Sequence, residues 1–187
     1  MWVIQSKGLE VRCIRAMHVK FKEKLKSLVK NFCEIYKDHQ NKMVYLFGEP
    51  HGTNKQPNSK PLYNQLQDLF SKSGWLATIM VEPYDKADLH KERYVYMNDI
   101  LEEGEEKQWT PFLRMNADEC EDAIIAMQKT RVTIDYKKDK GDEKKPEHFP
   151  QEHAPHYTDA LDYYIKQKFG TWGEIGDMDV SGSAGTI

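Results

Sequence analysis

The chain is poor in the features that tie a protein to a membrane, an oxidising compartment or a nucleotide. It has three cysteines in 187 residues (Cys13, Cys33, Cys120), scattered without metal or redox spacing. An odd number with no CxxC pair fits a reducing cytoplasm. No apolar run is long enough to span a bilayer, and no long hydrophobic region follows the first residues to make a signal peptide. There is no internal repeat and no GxxxxGK[ST] phosphate loop. The net charge of −3 lacks the basic excess of a typical nucleic-acid binder, although a basic groove is compatible with an acidic remainder. The length suits one domain with a tail.

What is present reads as an α/β chain. Trp2–Gln5, a turn at Ser6-Lys7-Gly8, and the alternating Leu9–Met17 read as a β-hairpin. Phe21–Lys37 has a helical apolar face (Leu25, Leu28, Val29, Phe32, Tyr36) with its lysines mostly outside it. Met43–Phe47 is a continuous apolar run, the mark of a buried parallel strand. Pro61–Ser73 follows as a helix with Gly74 as its stop, and Trp75–Val81 as a second buried strand. Strand, helix, strand predicts a right-handed βαβ unit. A helix is expected within Pro83–Glu103, where His90, Lys91 and Arg93 read as a solvated basic face. Trp109–Leu113 reads as extended, and Asn116 as the cap of a helix over 117–129. Arg131–Tyr136 alternates like a strand.

Two places carry candidate chemistry. The run Met43–Phe47 ends in Gly48-Glu49-Pro50-His51-Gly52, and ligands of α/β sheets sit outside the carboxyl ends of strands. Glu49 is therefore a candidate, with an ordinary loop glutamate as the alternative. The second place is a helix from His156 to Phe169, introduced by Pro155 and stopped by Gly170. Tyr157, Ala160, Leu161, Tyr164 and Ile165 form its apolar stripe, and His156, Asp159 and Tyr163 a polar one with Asp162 nearby. On spacing alone the plainer reading is an acidic helix cap with surface tyrosines. Between these places, 137–155 reads as a charged, mobile loop that orders on a polyanion if at all. His148, His153 and His156 match no zinc spacing. The Gly/Ser-rich 170–187 reads as a disordered tail.

Three segments together resemble the nuclease domain of phage large terminase subunits, in a branch found in phages and prophages of gut Bacteroidetes. They are Val19–Leu25 with Phe32-Cys33 and His39–Lys42; the strand Val44–Phe47 with Glu49 and Gly52; and His156-Tyr157-Thr158-Asp159-Ala160-Leu161-Asp162-Tyr163, similar to the family's closing His-x-x-Asp-Ala-x-x-Tyr pattern. The resemblance covers Trp2 to about Phe169. It implies an RNase H-like fold over 1–169: a mixed central sheet with a β-hairpin and parallel strands, flanked by helices. It also implies a metal-dependent endonuclease that cuts concatemeric double-stranded DNA with two Mg²⁺ or Mn²⁺ ions about 4 Å apart, held by hard carboxylate oxygens.

Carried over by position, Glu49 and Asp159 match metal-holding acids, His156 a ligand or proton shuttle, and Asp162 a reserve ligand. Lys137, Lys138 and Lys140 flank that site and are expected to touch DNA. Implied partners are the terminase ATPase domain, the small terminase subunit and the portal, in the cytoplasm of a bacterial host. Two departures qualify this. Glu49 stands where Asp is more familiar. The family's first acid, on a strand lying between the hairpin and Met43–Phe47, precedes Trp2 and is absent. The chain is thus expected to be a fragment, weakly active or inactive alone. The alternatives are a non-catalytic module docking on DNA or the portal, and another RNase H-like nuclease such as a resolvase or transposase core.

Overall fold

The computed structural model describes residues 1–19, 25–55, 59–81, 90–102, 110–141, 150 and 153–170. The expected hairpin is there: β1 (Trp2–Lys7) pairs antiparallel with β2 (Glu10–Ala16), with a bulge between Val3 and Ile4. Gly8 turns between them at φ 58°, a left-handed conformation that suits glycine. Helix α1 (Leu25–Ile35) follows, then β3 (Met43–Leu46), α2 (Leu62–Lys72) and β4 (Leu76–Ile79). β3 and β4 pair in parallel, Met43 opposite Leu76, as the βαβ reading requires, but they are not the buried strands expected: Met43, Tyr45 and Leu76 are 38%, 55% and 63% exposed on a two-stranded sheet. The stop of α2 is complete: the Gly74 amide donates to the Ser71 carbonyl and the Trp75 amide to the Phe70 carbonyl, with Gly74 at φ 77°. Trp75 and Phe70 then meet in the core, the apolar contact that accompanies this type of cap.

Helix α3 (His90–Leu101) leads to β5 (Phe112–Met115), which pairs in parallel with β2. The expected extended piece thus sits a few residues later, placed by its hydrogen bonds to β2. Helix α4 spans Glu121–Lys129 and α5 spans His156–Phe169. Asn116 does cap, but a turn precedes the helix: its Oδ1 accepts from the Glu119 amide at 3.2 Å, and its carbonyl accepts from the Cys120 amide. Arg131–Tyr136 is not a strand. One isolated bridge joins Val132 to Lys138 around a turn. Ile134 is 95% exposed there, so the alternation has no buried face to satisfy.

The sheet differs from the single mixed sheet expected. Hydrogen bonding gives two, β1-β2-β5 and β3-β4. Among the described residues no strand pairs with the outer edge of β1 or of β3. The two sheets share packing instead. Met1 and Val3 join Val44, Leu46, Phe70 and Trp75 in a core with α1 and α2. A second core gathers Val11, Cys13, Met97, Cys120, Leu161 and Ile165.

Helix α5 ties both halves. The Trp2 indole donates to the Tyr157 carbonyl at 2.8 Å, with the two rings edge to face. At the other end Phe47 meets Tyr164, and the Gln167 amide exchanges two hydrogen bonds with the Gly48 backbone. The apolar stripe expected for α5 is borne out, but Thr158 and Asp162 are buried too. The α1 residues Lys26 and Lys30 are exposed, as read. Lys20, Lys22, Lys24, Leu89, His148 and 171–187 lie outside the described residues.

Candidate functional site

α5 begins at a Pro-introduced turn. Thr158 Oγ1 donates to the Pro155 carbonyl at 2.7 Å, and so does the Asp159 amide at 3.0 Å. Asp162 follows Asp159 at i+3, so both carboxylates lie on one side of the helix. The segment after α4 folds back over them. Lys138 Nζ lies 2.5 Å from Asp162 Oδ2 and 3.3 Å from Asp159 Oδ1, and Lys140 Nζ lies 2.6 Å from Asp159 Oδ2. From α3, Arg93 Nε reaches within 3.4 Å of Asp162 Oδ2. The side chains of Asp162, Lys138 and Arg93 are 5%, 13% and 14% exposed. This is an ionic cluster of two acids and three cations, enclosed at Asp162, Lys138 and Arg93 and open to solvent at Lys140, which is 51% exposed.

The two acids respond differently to burial. Burial raises the Asp159 carboxyl, but the Lys138 and Lys140 ammonium groups outweigh it and hold it below the ordinary value. Asp162 is deeper. Burial pushes its carboxyl up, and Lys138 and Arg93 offset this only in part while the Asp159 charge adds to it.

Glu49 stands elsewhere. It is exposed, directly before a 3₁₀ turn (Pro50–Thr53). Its carbonyl accepts from the Tyr63 hydroxyl at 3.1 Å and from the Gly52 amide at 3.0 Å. Tyr63 also accounts for the framing glycines. A Cβ on Gly48 would lie 2.3 Å from Tyr63 Oη, and one on Gly52 2.5 Å from Tyr63 Cε2. Burial, with the Glu49 charge second, pushes the Tyr63 hydroxyl up to about 12. The neighbour of Glu49, Gly48, bonds to Gln167. Gln167 follows Asp159 by eight residues, about 12 Å along the helix at about 1.5 Å per residue.

Carboxylate oxygens are the right donors for Mg²⁺ or Mn²⁺. Among the described residues, however, no three His, Cys, Asp or Glu side chains come together to hold a metal. Asp159 and Asp162 converge; Glu49 stands beside the far end of α5; His156 is exposed at its first turn. The described residues do not make the expected two-ion centre, both Asp159 oxygens already meet lysines, and no hydrolytic step follows from them.

Of the three lysines expected to touch DNA, Lys137 is exposed, while Lys138 and Lys140 face the carboxylates. The expectation that 137–155 orders only on a polyanion therefore needs correction for Lys138–Lys140. Here the ordering partner is α5, because two ammonium groups meet two acids within the chain. Arg93 corrects another expectation. The solvated basic face expected there does not include it: one turn before the buried Met97, its side chain faces inward and is 14% exposed, and the i, i+4 spacing is the signal for this. A second polar group was not foreseen: Asp122 sits between His18 and His153, 3.6 and 3.5 Å away.

Comparisons with models of known families, with curated proteins and with solved structures find no match in any of the three. Among the described residues no helix is long and apolar enough to cross a membrane.

Proposed function

We propose that this chain is the RNase H-like nuclease domain of a phage DNA-packaging terminase, a metal-dependent endonuclease acting on double-stranded DNA. In this reading Asp159 is the carboxylate that takes Mg²⁺ or Mn²⁺, and Asp162, which shares Lys138 with it, is the reserve ligand. The observation that carries the reading is the cation-holding pair on α5: Lys138 and Lys140 supply Asp159 with the positive charge that a divalent ion would bring. The hairpin and the parallel β3-α2-β4 unit are consistent with it. The motor domain, small subunit and portal are the partners that go with it.

The test is a calorimetric Mn²⁺ titration of the wild-type chain and Asp159→Ala, with plasmid cleavage alongside. Uptake by the wild type and its loss in the variant support the reading. No uptake by either protein, and no cleavage, overturn it. The placement of Glu49 favours a second reading, a non-catalytic module docking on DNA or the portal. DNA binding unchanged by Glu49→Ala and Asp159→Ala, without metal uptake, would establish that one.

A further inference from the structure

A crevice of about 130 Å³ opens between α3, the end of α4, the 130–138 turn and α5. Its inner wall is apolar, from Met97, Met127 and Leu161. Its floor is polar, from Arg93, Lys138 and Asp162. Tyr94, Leu101, Val132 and Tyr136 line it and are each between 37% and 43% exposed, which makes an apolar rim. The Tyr94 and Tyr136 rings meet there, 5.5 Å between centroids.

Size and polarity together restrict the occupant. Protein cavities of about 150 Å³ hold a benzene ring, so this volume matches one six-membered ring. A bare hydrocarbon fails to use the floor. The nearest approaches of Lys138 and Arg93 to Asp162 fall on its Oδ2, and among the described residues no hydrogen bond reaches Oδ1. A buried acceptor without a partner is costly, and a ligand N–H would satisfy it. Arg93 and Lys138 add donors suited to a ring carbonyl. An anionic ligand is disfavoured, because it would meet the Asp162 carboxylate.

We propose that this crevice binds a single pyrimidine base, its amide edge on Asp162, Arg93 and Lys138 and its faces between the apolar wall and the Tyr94–Tyr136 rim. Aromatic side chains commonly hold unstacked bases this way. The proposal rests on the DNA-acting reading only for the source of the base, because free base and a base within a single strand offer the same edge.

The test follows the ¹³C-labelled methionine methyls of Met97 and Met127 by NMR, in metal-free protein. The ligands are thymine, toluene and a short oligodeoxythymidine. Saturable shifts by thymine at millimolar concentration, at least tenfold weaker with toluene, support the proposal. The shifts should vanish in Leu101→Trp and in Val132→Trp, which block the mouth from exposed positions and leave the core intact. Oligodeoxythymidine shifting the same methyls identifies a base in a strand as the source; thymine alone doing so identifies free base. Toluene binding as tightly as thymine, or no binding by any ligand, overturns the proposal. Neither result touches the metal reading, which the Mn²⁺ titration decides separately.

Discussion

Asp162→Ala is expected to destabilise the fold by about 3 kcal/mol, and the reasoning is specific to the geometry. The carboxylate is 5% exposed and receives Lys138 at 2.5 Å and Arg93 at 3.4 Å. Deleting one partner of a buried ion pair costs about 3–5 kcal/mol, because the survivor keeps its desolvation penalty. Here the survivors are unequal. Lys138 retains Asp159 at 3.3 Å, whereas Arg93 loses the one carboxylate within reach among the described residues. That places the effect at the lower end. Asp162→Asn keeps an acceptor and should cost about 1–2 kcal/mol, the scale of a charged hydrogen bond made neutral. Urea unfolding followed by circular dichroism reads both. With a slope of about 2 kcal/mol/M, typical of a domain this size, the alanine variant's midpoint falls by about 1.5 M. A loss below about 1 kcal/mol for Asp162→Ala would refute the argument, because the cluster would then be screened by water rather than buried.

Three other outcomes are expected. Gly52→Ala drives a Cβ to 2.5 Å from the buried Tyr63 ring and should cost about 1–3 kcal/mol; in urea unfolding the Gly52→Ala/Tyr63→Leu double variant should lose clearly less than the sum of the singles. Asp159→Asn should destabilise at neutral pH, and a pH series of unfolding curves should show the deficit closing in acid. The Asp159 carboxyl is held below its ordinary 3.8, so its contribution is present above 3.8 and is lost as pH falls through the lower folded value. Burial, with Cys120 beside it, pushes the Cys13 thiol up to about 12, and Cys33 is only partly buried; Ellman's reagent at pH 8 should therefore label Cys33 first, and Cys13 and Cys120 only as the chain unfolds.

Local structure was legible where one periodicity dominated. The hairpin, α2 with its Gly74 stop and the apolar stripe of α5 follow from alternation, helical spacing and a known cap; the apolar runs gave the parallel β3–β4 pair but not its exposure, since Tyr45 and Leu76 are 55% and 63% exposed. Arg131–Tyr136 misled because alternation specifies a strand only when one face is buried, and Ile134 points at solvent. The division into two sheets was not legible, since strand pairing depends on which edges meet and no local pattern encodes that. At the site, spacing put Asp159 and Asp162 on one helix, but not the ammonium groups above them. Lys138 and Lys140 sit in a charge run whose composition points to solvent. The enclosure of Lys138, and the reach of the half-exposed Lys140 to Asp159, are tertiary effects of the chain folding back on α5. Glu49 shows the converse: its place after a strand is as read, while Gly48 and Gly52 answer to the Tyr63 ring.

The same helix carries the candidate chemistry and joins the two sheets, and this decides which variants can separate the two. Trp2 holds α5 through the Tyr157 carbonyl, and Gly48 holds it through Gln167, so α5 spans the region where β1 and β3 share no hydrogen bond. Asp162 lies between those attachments, nearly enclosed; a change there loosens the fold together with any site. Asp159 lies one turn nearer the helix start and is 18% exposed, and among the described residues its ion-pair partners are Lys138 and Lys140. A metal or DNA effect in Asp162→Ala therefore says little about chemistry. The same effect in Asp159→Ala, with the urea midpoint shifted by less than about half that of Asp162→Ala, assigns it to the carboxylate. If Asp159→Ala proves the more destabilising of the two, the helix is anchored at its first turn instead, and Asp159 is a structural residue.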